Sequence, residues 1–133
     1  MKHYVLDAHA LLAYLEGEEG KEVVVSVLNE IADGHAEAFL CIVNWGEVWY
    51  TAFREGGEER AMLYEKTLAE MDIQVLDVDR ELTLVAARFK GTHKMSYADA
   101  YAAATAKLRN AHLVTGDKEF KSVEKDIKVK WIR

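Results

Sequence analysis

Apolar positions along the chain switch repeatedly between two spacings, and each switch predicts a change of element. Short apolar runs at residues 3–6, 38–43, 73–78, 112–115 and 127–132 predict β-strands, the last alternating as an edge strand does. Between them the spacing lengthens to three or four. Residues 8–16 are strong helix formers, and Val23, Val24, Val27, Leu28 and Ile31 recur at helical spacing across residues 21–33. Further helices are expected at 44–54, opened by Asn44, and at 58–71, with Ala61, Leu63, Tyr64, Leu68 and Met71 as core candidates. Residues 80–90, the Ala-rich stretch 99–109 and a short segment at 118–123 complete the set. Glycines supply the stops, at Gly17 and Gly20, at Gly34, at the pair Gly56-Gly57 and at Gly91. Strands alternating with helices predict an α/β sandwich around a parallel or mostly parallel sheet. The chain has no proline, linker, low-complexity segment or repeat, so its 133 residues are expected to form one domain, 1–133.

Composition narrows the class. Half the residues are hydrophobic and 30% are charged, the balance of a folded globular chain. At this length folding buries roughly two-thirds of the unfolded surface, enough for a core without disulfides. Cys41 is the one cysteine and lies in the apolar run Phe39-Leu40-Cys41-Ile42-Val43, which suits a buried thiol rather than a nucleophile. With neither a cysteine framework nor a secretory leader, a cytoplasmic location is expected. Apolar stretches fall far short of the ~20 residues of a membrane span, so no membrane partner is expected. The 17 Lys and Arg against 23 Asp and Glu give a formal charge of −6. That balance argues against a module that binds nucleic acid by surface charge alone, and leaves room for a metal-dependent enzyme.

In a parallel sheet, ligands bind outside the carboxyl ends of the strands. Asp7 ends the first expected strand, and Asp117 follows the strand Leu113-Val114-Thr115 one glycine later. Glu47 falls in the first turn of the helix after the second strand, and Asp99 begins the Ala-rich helix leading back toward Asp117. A parallel sheet therefore puts Asp7, Glu47 and Asp117 at its carboxyl edge, and Asp99 joins them if its helix starts there. Clustered carboxylates repel one another unless cations fill the site, and hard oxygen donors suit Mg²⁺ or Mn²⁺. Two such ions would balance four carboxylates, activate water for phosphodiester hydrolysis and attract a phosphate backbone despite the net charge. The same acids also sit where helices begin. Asp7 and Asp117 are placed to cap, and Asn44…Glu47 and Ser96…Asp99 match capping boxes. Spacing alone leaves both readings open.

Four segments then resemble, in order, the motifs of PIN domains. They are Asp7-Ala8-His9-Ala10-Leu11-Leu12-Ala13, Asn44-Trp45-Gly46-Glu47-Val48, Ser96-Tyr97-Ala98-Asp99-Ala100-Tyr101-Ala102, and Thr115-Gly116-Asp117-Lys118-Glu119-Phe120. The resemblance implies a three-layer sandwich with a central five-stranded parallel sheet, and Mg²⁺- or Mn²⁺-dependent RNA cleavage. Small members of this kind are usually VapC-type toxins of VapBC toxin–antitoxin pairs. It further implies a homodimer, a small VapB-type antitoxin, and structured RNA such as tRNA or rRNA as target. Carried over, Asp7, Glu47, Asp99 and Asp117 are metal-binding and catalytic, with Asn44, Ser96 and Thr115 as supporting polar groups. His9 departs from the small or hydroxyl residue usual two places after the first aspartate, and it is expected to form part of the cleft wall. Trp45 and Trp49, with Leu11, Tyr14 and Leu15, suggest apolar surface for a dimer or antitoxin groove.

Three rival readings are weaker. A haloacid-dehalogenase-type hydrolase needs an aspartate where His9 stands. A non-catalytic PIN scaffold would lack one of the four acids. An RNA-processing nuclease outside a toxin pair shares the site chemistry but is less expected in so short a chain.

Overall fold

The computed structural model describes residues 1–133 and places the strands and helices in the expected order. The strands are β1 (Lys2–Leu6), β2 (Ala36–Cys41), β3 (Ile73–Leu76), β4 (His112–Thr115) and β5 (Lys128–Trp131). Helices α1 (Ala8–Leu15) and α2 (Lys21–Ala32) fill the first crossover and α3 (Ile42–Glu70) the second. The third holds α4 (Arg80–Thr92) and α5 (Tyr97–Leu108), and a 3-10 helix, Lys118–Val123, joins β4 to β5. Every strand pairing is parallel, in the order β3-β2-β1-β4-β5. The chain works outward from β1 to β3, then crosses back to lay β4 on the other side of β1. The order reverses between β1 and β4, where an open parallel sheet leaves a crevice at its carboxyl edge.

Successive residues of a strand face opposite sides, and here both sides are covered. Tyr4, Leu6, Ala38, Leu40 and Val114 pack with α1, α2 and α3, whereas Val5, Phe39, Cys41 and Leu113 pack with α4 and α5. This two-sided burial is why the inner strands read as continuous apolar runs. Cys41 is wholly buried, as its apolar neighbours imply. No helix is long and apolar enough to cross a membrane.

Three boundaries depart from the sequence reading. The helices expected on either side of Gly56-Gly57 are two limbs of α3, bent where both glycines leave helical geometry and Gly57 adopts φ 74°. Asn44 does not open α3. The extended residue before that helix is Cys41, which makes no side-chain cap, so the strand-to-helix switch falls inside an apolar run where periodicity cannot mark it. Gly91 does not stop α4 either. It lies exposed within the helix, which ends at His93 with the His93 N–H donating to the Phe89 carbonyl.

Candidate metal centre

Asp7 is the hub of the carboxyl edge. It caps α1 by accepting from the Ala10 N–H through Oδ1 at 2.8 Å, and its Oδ2 accepts from Thr115 Oγ1 at 2.5 Å. Thr115 Oγ1 in turn accepts from the Asp117 N–H at 3.0 Å. One hydroxyl therefore ties together the acids that follow two neighbouring strands. Only 2% of Asp7 is exposed. Burial pushes its carboxyl up to about 7 against the pull of its two hydrogen bonds, and the charges of Asp99 and Asp117 push the same way.

The other acids converge from separate elements. Asp117 caps the 3-10 helix by accepting from the Glu119 N–H at 3.0 Å. Ser96 caps α5 by accepting from the Asp99 N–H at 3.0 Å, which sets Asp99 in the first helical turn. Carboxylate oxygens of Asp99, Asp117 and Glu119 lie within 4.8 Å of one another. Burial first, then the charges of Asp117 and Glu47, raise Asp99 to about 7. Glu47 lies in the second turn of α3, not the first, and its Oε1 accepts from Asn44 Nδ2 at 2.9 Å. Asn44 Nδ2 also donates to the Ala98 carbonyl at 3.1 Å, strapping α3 to the start of α5. Glu47 is raised as well, by burial and then by Asp117, against its bond to Asn44.

All four acids expected from sequence thus come to one edge and act on one another electrostatically. Asp99 and Asp117 form the tightest group together with Glu119. Glu119 was not singled out in the sequence, because its orientation depends on the pitch of a 3-10 helix too short to show periodicity. Capping and clustering are not alternatives here: Asp7, Ser96 and Asp117 cap while lining the site. Asn44 is the exception, holding Glu47 rather than the helix end. Leu11 is wholly buried in the core, so it offers no surface to a partner; exposed apolar side chains lie on α3 instead, at Tyr50, Phe53, Met62 and Leu63.

His9 stands at the turn that leads from Thr115 to Asp117. Its ring rests on Gly116, where an added Cβ would come within 2.6 Å of Cε1, and its shielded Nδ1 has no partner. Burial first, and then the nearby charge of Arg133, hold His9 below its ordinary value, opposed by Asp117 and Glu18.

The donors suit a hard divalent cation. They are carboxylate oxygens, no Lys or Arg forms an ion pair with any of these acids, and the buried Asn44 Oδ1 lacks a partner. Repulsion left unneutralised by the protein itself is what a bound Mg²⁺ or Mn²⁺ would relieve.

A parallel sheet with an acid-lined crevice at its switch point defines an α/β protein organised around a carboxylate site. Residues 4–126 match the PIN domain family model, and the chain belongs to that family. Its fold is similar to a chain of VapBC2 from Rickettsia felis, solved bound to a DNA fragment from their promoter, with TM-score 0.78 and 14% identity over 96% of this chain and 97% of that one. It is also similar to VapBC-1 from nontypeable Haemophilus influenzae, with TM-score 0.74 and 18% identity over 98% of each chain. A third similar structure is Mycobacterium tuberculosis VapC20, a sarcin-ricin loop cleaving toxin, with TM-score 0.73 and 16% identity over 90% and 94%. At these identities the likeness establishes the fold. No curated protein matches the chain.

Proposed function

We propose that residues 1–133 form a single PIN domain that hydrolyses RNA phosphodiester bonds internally with Mg²⁺ or Mn²⁺, as the toxin of a VapBC-type pair. The observation that carries this reading is the convergence of Asp7, Glu47, Asp99 and Asp117 at the sheet's switch point with no Lys or Arg ion-paired to them. Asp99, Asp117 and Glu119 would hold the ion, with Asp7 and Glu47 adding their charge to the site. When bound, such an ion lowers the pKa of water and stabilises charge on the phosphodiester oxygens. The chain's own contribution is positional. Thr115 fixes Asp7 relative to Asp117, Ser96 fixes the start of α5, and Asn44 holds Glu47 against Ala98. All four acids of the family pattern are in place, which favours an active enzyme over a non-catalytic scaffold.

The toxin assignment rests on the family and on the VapBC neighbours, and it brings a VapB-type antitoxin, a second copy of the chain and a cytoplasmic site of action into the proposal. Exposed Tyr50, Phe53, Met62 and Leu63 on α3 offer the apolar surface such a protein partner needs. Sedimentation of the isolated chain, alone and with its antitoxin, tests this: a monomer that binds no antitoxin contradicts it. The catalytic reading is tested by incubating purified chain with labelled tRNA and rRNA in Mg²⁺, Mn²⁺ or EDTA. Cutting in metal and none in EDTA is expected. Folded, metal-loaded chain that cuts none of these RNAs contradicts the proposal.

A further inference from the structure

The net charge of −6 leaves an open question even if a metal occupies the crevice: which side chain receives the phosphates beside the one being cut. The segment leaving β5 is built onto the backbone next to the acids. The Ile132 N–H donates to the Thr115 carbonyl at 3.0 Å, continuing the β4–β5 edge toward the crevice. The Ile132 side chain is wedged between Gly20 and Gly116, where an added Cβ would lie 2.7 Å and 3.0 Å from it. This seating delivers Arg133 to the crevice, where its Nε donates to the Gly116 carbonyl at 3.4 Å. Gly116 separates Thr115, which holds Asp7, from Asp117.

Arg133 forms no ion pair, and its one side-chain hydrogen bond engages only Nε. Both terminal nitrogens of the guanidinium are therefore uncommitted, a planar pair of donors matched to two phosphate oxygens. The unpartnered Nδ1 of His9 also lies against this Gly116. We infer that Arg133 is a substrate-positioning residue that binds an RNA phosphate next to the scissile one, with the Gly116 carbonyl orienting its guanidinium. This inference rests on the ribonuclease reading. A glycine at 116 serves it directly, since any larger residue would displace both His9 and Ile132.

The experiment compares wild type with Arg133→Ala, Arg133→Lys and Lys128→Ala, the last removing a charge from the first residue of β5. Thermal melts check that each variant is folded. Metal affinity is read by calorimetry with Mg²⁺ alone, cleavage by KM and kcat, and binding by anisotropy of a labelled single-stranded RNA in Ca²⁺ at several salt concentrations. For Arg133→Ala the expected results are a KM raised about five- to thirtyfold, a kcat within about threefold and unchanged Mg²⁺ affinity. The slope of log affinity against log salt should fall by about 0.7, the loss of one phosphate contact on a single strand. Arg133→Lys should recover part of the affinity, because it restores the charge without the fork. Lys128→Ala should match wild type.

If wild type cuts and binds RNA while Arg133→Ala keeps its KM and salt slope, the positioning role is wrong and the ribonuclease reading stands. If Lys128→Ala weakens binding as much as Arg133→Ala, the effect is one of net charge and the assignment fails. A wild type that neither cuts nor binds RNA overturns both.

Discussion

Replacing Asp7 by Asn should stabilise the metal-free protein, and by an amount that grows with pH. The ordinary Asp value of 3.8 applies to the unfolded chain, whereas burial raises Asp7 to about 7 in the folded one. Between these values the folded state holds a proton that the unfolded state has released, so stability falls as pH rises through that window. At about 1.36 kcal/mol per pH interval, the wild-type carboxylate costs ~4 kcal/mol at about pH 8 and ~2 kcal/mol at about pH 5. An Asn carries neither cost. Its oxygen can accept from the Ala10 N–H and its amide can donate to Thr115 Oγ1, a reversed bond in which the Thr115 hydroxyl proton gives up its acceptor in Asp7. For a chain of this length, 1 kcal/mol moves Tm by roughly 3–4 °C, so the variant should melt above wild type by ~14 °C at about pH 8 and by ~6 °C at about pH 5.

The assay is a pair of thermal melts in EDTA at the two pH values, read as the difference between proteins. The difference matters because Glu30, His9 and His112 are all lowered and have the opposite sign, adding stability that is lost as pH falls. Saturating Mg²⁺ at about pH 8 should raise the Tm of wild type, and that of Asp7→Asn by less, because Asp99 and Asp117 remain to hold the ion. A variant no more stable than wild type at high pH, or a gap that shrinks as pH rises, would refute the reasoning about Asp7.

Other substitutions probe the supports. Thr115→Val removes the hydroxyl shared by Asp7 and the Asp117 N–H, and should cost ~2 kcal/mol in a urea melt and about tenfold or more in kcat. Gly116→Ala would bring a Cβ within 2.6 Å of His9 and 3.0 Å of Ile132, destabilising by ~1–3 kcal/mol; adding His9→Ala should recover part of that loss in a double-mutant cycle. Glu119→Gln should weaken Mg²⁺ binding by less than about tenfold in calorimetry, because its carboxylate is exposed, whereas Asp117→Asn should weaken it by well over tenfold.

Much of this architecture is legible before any coordinates, because two-sided burial writes itself into Tyr4–Leu6, Phe39–Cys41 and Leu113–Val114 as unbroken apolar runs. Parallel pairing then sends Asp7 and Asp117 to the same edge by topology alone. What is not legible is where an apolar strand becomes an apolar helix. Cys41, Ile42 and Val43 carry no polar punctuation, so Asn44 looks like a cap when its side chain actually holds Glu47. Gly91 misleads in the other direction, as an exposed helical glycine costs only ~1 kcal/mol and neighbouring packing outweighs it. Glu119 and Arg133 escape notice because their positions depend on a 3-10 turn and on the seating of Ile132, and neither leaves a periodic trace.

The most direct test of the account is single-turnover cleavage of a labelled RNA across a Mg²⁺ titration by wild type and by Asp99→Asn, with melts showing both folded. Wild-type cutting should rise with Mg²⁺ and stop in EDTA, and the variant should be slower by at least about a hundredfold at every concentration. Cutting that persists in EDTA, or that survives the loss of the Asp99 carboxylate undiminished, would contradict the claim that this acid cluster holds the metal that makes the chain a nuclease.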